Sequence, residues 1–397
     1  MARSVNRMVE HGQEQVTEER DVLGAGTGVE VEQVESNEDP LEIAEPFDPE
    51  KIEVQTRTMT IDLLLSRIRH KAIDLEPEFQ RRRGIWNDQR QSRLIESILL
   101  KIPLPTLYAA ENEQEEWAIV DGIQRLTAIV RFVDPAIINE SRLVLQGLEY
   151  LGRDFGGKTF DHLPPRLMRR LLETELVVHV IRHGTPDAVK DNIFARINTG
   201  GLPLSRQELR HALIPGPARA LLKEWAALEE FTQATSSSVR DDRMTDRELV
   251  LRFVAFRLTP PQDYRSADFD RFLGQAMRRM NRLAEPEIRR LRTEFKEALH
   301  TAFAIFREYA FRKRYKETDA RYPINKALFE AVTVNLAALS SEERTTLIER
   351  REIVLSEFMD LMNDRIFDLS VSQGTGDVRK VQVRFGRFEE TLRKVIA

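Results

Sequence analysis

The chain has 397 residues, no cysteine, 41% apolar residues and a formal net charge of -5. The lack of cysteine excludes a disulfide scaffold, thiolate zinc sites and a cysteine nucleophile, and fits a reducing, cytoplasmic setting; no apolar run is long enough to span a bilayer. Residues 1–50 carry three basic and fourteen acidic side chains, a balance of -11 that leaves the rest of the chain at about +6, so that part can meet nucleotides or nucleic acid.

Residues 1–48 are acidic and poor in aromatics, and composition predicts a disordered tail that solvates or competes for a basic groove on its own chain. From Ile61 the apolar residues Leu64, Leu65 and Ile68 predict a helix capped by Thr60. Pro77 and Gly84 bracket a turned segment, Phe79-Gln80-Arg81-Arg82-Arg83 to Trp86. A strong helix capped by Asn87 or Asp88 follows, and Ile102-Pro103-Leu104-Pro105 stops it. Residues 104–109 and 117–120 read as short strands, and 143–145 as another. Glu175 to Ile181 is a β-run, after which Thr185 caps a helix ending at Asn198-Thr199-Gly200-Gly201. Ser205 and Glu208 have capping-box spacing.

Beyond Pro215 helical spacing dominates, with Ile288, Leu291, Phe295, Leu299, Phe303 and Phe306 on one stripe. The organisation is therefore an α+β domain over 49–214, then an all-α domain over 215–397.

Three constellations carry chemistry. Asp121-Gly122-Ile123-Gln124-Arg125 joins a buried strand to a helix, and free amides beside an arginine suit a phosphate. A plain strand–turn–helix junction explains the same residues. Arg81, Arg82 and Arg83 beside Trp86 can bind phosphate and stack a base, or form a solvated turn with the tryptophan in the core. Arg196 and Asn198 lie at a helix C-terminus, where positive charge also complements the helix dipole. A fourth, weaker run is Arg312, Lys313, Arg314 and Lys316 with interleaved aromatics, suited to DNA backbone contacts or to a solvated helix end.

In this order and spacing the first three clusters, with Ile102 to Pro105, resemble the GmrSD-type ParB-like proteins (domain of unknown function 262) over roughly residues 58–215. The resemblance implies a ParB/sulfiredoxin-like fold that binds, and in some members hydrolyses, a nucleoside triphosphate, with Mg2+ a compatible cofactor, in bacterial defence against foreign DNA. It implies that Asp121 orients a metal or water, Gln124 positions water or phosphate, and Arg125 neutralises transition-state charge. Gln80, Arg81, Arg82, Trp86, Gly122, Arg196 and Asn198 then line the nucleotide pocket, and no metal is held by protein ligands alone. Ile123 stands where the family pattern has a glutamine, which favours binding over hydrolysis. Only His300 lies in the helical half, so a C-terminal His-Asn-His nuclease is not expected. The helical half then serves DNA, a defence-system partner protein or a second copy. The rival readings are a non-enzymatic DNA- or protein-binding adaptor and a nuclease that uses the same pocket.

Overall fold

A computed structural model describes residues 16–20, 26–32, 52–75, 86–186, 189–190, 193, 205–241, 243–266 and 268–397. The architecture is mixed α+β, with a sheet in the N-terminal region and helices in the C-terminal part. Among the described residues no helix is long and apolar enough to cross a membrane.

The N-terminal region is built on β3 (Val54–Thr60), β4 (Ile73–Asp74), β5 (Leu107–Glu111), β6 (Trp117–Asp121) and β7 (Glu175–Ile181). Their order is β3-β7-β5-β6-β4. β3 and β5 flank β7, antiparallel and parallel respectively; β6 is antiparallel to β5 and parallel to β4. Strand alternation gives the sheet two faces. On one, Ala109, Trp117, Ile119, Val178 and Val180 pack into a core with helices α1 (Ile61–Arg69), α2 (Asp88–Leu99), α3 (Ile123–Val133) and α4 (Pro165–Glu173). On the other, Ala110, Val120 and Ile181 meet Leu209 of α5 (Arg206–Leu213).

Local chemistry sets these ends. Thr60 accepts from the Leu63 amide at 3.3 Å, and Asn87 from Arg90 at 2.9 Å. Ser205 and Glu208 close the capping box that their spacing predicts. Residues 143–145 do not form the expected strand. Leu143 and Leu145 are buried, but their amides donate to the isolated carbonyls of Arg131 and Lys158. The helix expected from Thr185 falls largely outside the described residues.

A second, separate core joins α6 (Pro217–Ala226), α7 (Thr245–Leu258), α8 (Phe269–Met280), α9 (Glu285–Phe306), α10 (Lys326–Ala337), α11 (Ser341–Glu349), α12 (Arg351–Asn363), α13 (Arg365–Ser372) and α14 (Val378–Ile396). The stripe on α9 faces it: Leu291, Phe295, Leu299 and Phe306 are buried there, with Ile288 and Phe303 at its margin. Arg219 at the start of this region pairs with Asp74 of β4 at 3.0 Å, tying it to the sheet.

Residues 16–20 and 26–32 of the acidic N-terminal segment depart from the expected disorder. Its described residues are an ordered antiparallel hairpin, β1 (Glu18–Arg20) and β2 (Gly26–Glu30), set into the helical part. Val29 is fully buried in the helical core, and the Glu30 and Ile324 amides donate to the Ile324 and Gly28 carbonyls. Gly28 has φ +82°, and a Cβ there would lie 1.7 Å from the Ser238 carbonyl oxygen, so only glycine permits this approach.

Carboxylates of the hairpin segment enter a buried ion network. Arg252 reaches Glu32 and Glu248 at 2.9 Å and Glu330 at 3.4 Å; Lys326 reaches Glu248 at 3.4 Å; Arg384 also pairs with Glu330. Burial alone would raise the Glu32 and Glu248 pKa values. Arg252 and Lys326, joined at Glu248 by Arg210, outweigh it and hold both below the usual carboxylate value of 4.5. For Glu330 burial prevails and its pKa is raised. A depressed carboxylate contributes stability that is present above its unfolded pKa and lost as pH falls through the folded one. The melting temperature should therefore fall as pH drops below about 4.5, with Glu330 moderating the slope. Melting curves from pH 7 to pH 3 test this, and Glu248→Gln should flatten the dependence; an unchanged slope in that variant would contradict the assignment.

Candidate functional site

The mouth of α3 is formed where β6 stops. Trp117, Ile119 and Val120 are buried, which fixes the strand in the sheet and brings Asp121 to its end. Gly122 turns the chain at φ +95°, and a Cβ on it would lie 2.1 Å from Leu107 Cδ2. Both the backbone conformation and the closeness of Leu107 demand glycine. α3 begins at once, with Gly122 as an N-cap that supplies no side-chain hydrogen bond. The first intrahelical donor is the Leu126 amide, to Gly122 O at 3.0 Å, so the amides of Ile123, Gln124 and Arg125 have no intrahelical acceptor.

Arg125 is buried and turned into the protein. Its Nη2 donates to Asp121 Oδ2 at 2.8 Å and to the Thr106 carbonyl at 3.1 Å, and Nη1 donates to the Pro105 carbonyl. Burial lowers its pKa, while the Asp121 carboxylate acts in the opposite direction. The central motif and the proline segment are thus one device: the guanidinium fastens the Pro105–Thr106 backbone to the strand–helix turn. Gln124 is half-buried, and its side chain has no hydrogen-bond partner among the described residues.

Ile123 is half-buried against the first core. It also lines a narrow cleft of about 10 Å³, room for one water molecule, with Asp74, Ala118, Glu208 and His211. An apolar residue in place of glutamine is therefore accommodated by packing. Trp86 packs against the same core, with the Arg90 guanidinium 4.6 Å from its ring centroid. Gln80, Arg81, Arg82, Arg196 and Asn198 lie outside the described residues. Among the described members, Asp121, Gly122, Gln124 and Arg125 are brought together at one turn.

The basic run in the helical half is corrected. Arg312 is buried, donating to the carbonyls of Glu308, Tyr322 and Thr235 and to Ser238 Oγ. Burial pushes its pKa down to about 10, with Arg321 adding to the shift. Lys313 is also buried, 2.7 Å from both Glu30 and Ser372 Oγ. Arg314 lies 4.1 Å from the Tyr309 ring centroid and donates to Glu317 O, and Lys316 is exposed. The run folds inward after α9 because buried carbonyls and the hairpin carboxylate need donors, so Arg312 and Lys313 do not form a DNA-facing surface.

Residues 61–215 match the family model described as the GmrSD restriction endonuclease, N-terminal domain. This segment is a GmrSD-type N-terminal domain. No match was found among curated proteins or among solved structures. The GmrSD-type domain is of restriction type, and its matched residues include the whole α3 mouth and its clamp.

Sequence reasoning missed a polar row on the α5 face of the sheet. Thr56 of β3, His179 of β7 and Tyr108 of β5 are in register. Thr56 Oγ1 lies 2.9 Å from His179 Nδ1, and the His179 and Tyr108 ring centroids are 5.0 Å apart. Alternation within 175–181 gives the face of His179, but no sequence signal names the strands beside it.

Proposed function

We propose that the GmrSD-type domain binds a nucleoside triphosphate at the mouth of α3, as the nucleotide-responsive part of a restriction-type, DNA-linked system. The observation that carries this reading is the helix start at Gly122, which has no side-chain cap and leaves the amides of Ile123, Gln124 and Arg125 without an intrahelical acceptor beside Asp121. The amides would receive a phosphate and Gln124 would orient it. Asp121 is the single carboxylate of the turn, and among the described residues no group of three metal-ligating side chains is present. That donor set suits Mg2+ only when the phosphates supply most of the ligands.

Binding without rapid turnover is the favoured form. Arg125 is engaged by Asp121 and two backbone carbonyls, which supports a positioning role in place of transition-state charge neutralisation. Ile123 adds no polar group to the turn. The same engagement favours, as the second reading, an adaptor that keeps the fold and works through DNA or protein contacts.

Thermal shift and phosphate release with each of the four ribonucleoside triphosphates, with and without Mg2+ and DNA, test the proposal. The expected result is a saturable rise in melting temperature for at least one nucleotide, with little phosphate released. No shift with any nucleotide, together with salt-sensitive DNA binding, would replace it by the adaptor.

A further inference from the structure

The helical part holds a cationic groove that this chain fills with its own acidic segment. Arg252 and Lys313 are 2% and 3% exposed and Lys326 is 10% exposed, and each meets a carboxylate that arrives from residues 16–32. Lys313 Nζ lies 2.7 Å from Glu30 Oε1, Arg252 Nη1 2.9 Å from Glu32 Oε1, and Lys326 Nζ 3.8 Å from Glu19. Neutral donors add to this: Asn325 Nδ2 donates to Glu30 Oε2 at 2.9 Å, and Thr375 Oγ1 to Glu32 Oε1 at 2.7 Å. The backbone is read as well. The Glu30 amide donates to Ile324 O and the Ile324 amide to Gly28 O, a parallel β-bridge, while the Arg240 amide donates to Thr27 O at 3.1 Å. Val29, between these contacts, is the apolar anchor in the helical core.

Surfaces that bind an extended peptide use the same division of labour: backbone hydrogen bonds hold the chain and side-chain pockets select it. Glu30 and Glu32 are two positions apart, the spacing that sends both to one side of an extended chain, with Val29 on the other. Three features set the segment apart from the body of the fold. β1 and β2 form a two-stranded sheet of their own, and a lone hairpin has little stability in water, so its order comes from the groove. Its anchoring is mostly ionic, and desolvation offsets most of what buried ion pairs contribute to net stability. Glu32 precedes Val54, the first residue of β3, by 22 positions, about 70 Å of extended chain, so the segment can leave its seat with the five-stranded sheet undisturbed. A nucleic acid matches the charge of the groove but offers neither a backbone to pair with Ile324 nor a side chain in the place of Val29. An acidic peptide offers both.

We infer that the helical part is a docking module for an extended acidic peptide of the pattern Gly-Val-Glu-x-Glu, and that residues 16–32 occupy it in cis as a displaceable strap. Seated, the strap closes the groove and adds its binding free energy to the stability of the helical part. Displaced, it leaves Arg252 and Lys313 to the same pattern on another protein chain.

A protease recognition sequence inserted in the full chain between Glu32 and β3 allows the strap to be cut free. The cut protein should keep its N-terminal fragment at micromolar concentration on size-exclusion chromatography. A fluorescently labelled peptide of residues 16–32 should then replace the fragment, read as a rise in anisotropy that unlabelled peptide reverses. Glutamine in place of Glu30 or of Glu32 in the peptide should weaken binding about tenfold or more, the effect of losing the charge on a hydrogen-bonded carboxylate. As a second format, the uncut double variant Glu30→Gln with Glu32→Gln should take up the labelled peptide, which the uncut parent chain excludes. Exchange in either format supports docking. Exchange in neither, loss of the fold on cutting included, makes the segment part of the core and overturns the inference. So does equal binding of the glutamine peptides, or displacement of the peptide by a single-stranded DNA oligonucleotide at equal concentration, which would mark a polyanion groove.

Discussion

Replacing Glu30 by alanine should destabilise the helical part by about 3–5 kcal/mol, the cost of stranding one member of a buried ion pair. Glu30 Oε1 accepts from Lys313 Nζ at 2.7 Å, and Oε2 accepts from Asn325 Nδ2 at 2.9 Å. Lys313 is 3% exposed, so water cannot take over when the carboxylate is removed. Ser372 would be left as its one described acceptor. Chemical denaturation of the full chain measures the loss. The double substitution Glu30→Leu with Lys313→Met should recover most of it, because an apolar pair of similar volume carries no stranded charge. A loss below about 1 kcal/mol, the value for an exposed pair, would mean that the hairpin is not part of the folded unit.

The second large effect lies at the turn. Gly122→Ala should cost about 2–4 kcal/mol, combining the left-handed backbone penalty with overpacking. The added Cβ would lie 2.1 Å from Leu107 Cδ2, and Leu107 is itself buried in the first core. It would also stand 3.1 Å from Arg125 Nη2, crowding the guanidinium that holds Pro105 and Thr106. Adding Leu107→Ala should remove the collision and leave the backbone term. The double variant should then show less than the sum of the two single losses. Strict additivity would show that the two residues do not meet and that the turn is looser than described.

Both effects show why part of the fold was legible beforehand and part was not. Short-range chemistry is written in the chain. The Thr60 and Asn87 caps, the Ser205–Glu208 box, the Glu175–Ile181 strand and the glycine turn at 122 each depend on residues within a few positions of one another. Helical spacing beyond Pro215 does not show where one helix gives way to the next: α11 and α12 meet at Arg350, whose backbone (φ -94°, ψ 24°) interrupts the helical run between the buried Leu347 and Val354. Seven positions apart, the two would share one face of an unbroken helix as well, so apolar spacing is silent about the break.

The candidate site divides in the same way. Asp121, Gly122, Gln124 and Arg125 could be named from a motif because they are consecutive. Arg125 was expected to face a phosphate, and its partners proved to be Asp121 and the carbonyls about twenty residues earlier. Nothing local distinguishes a guanidinium offered to a ligand from one that clamps a loop. That depends on where the Pro105–Thr106 backbone runs.

By itself, then, the sequence determined the mixed α+β character of the N-terminal region, the helical C-terminal part and the motifs of the GmrSD-type domain. These rest on periodicity, capping and turn chemistry, which act over one or two turns of chain. Only the tertiary structure decided that Glu18–Arg20 and Gly26–Glu30 of the acidic segment pair as strands with Val29 in the helical core, that Arg312 and Lys313 serve the interior, and that Thr56, His179 and Tyr108 share a row. Composition left the first as a solvating tail or a competitor for a basic groove, and the second as DNA contacts or a solvated helix end, because it records charge without location. The carboxylate that meets Lys313 lies 283 positions away, and a buried pair at that separation exists only once the cores have packed.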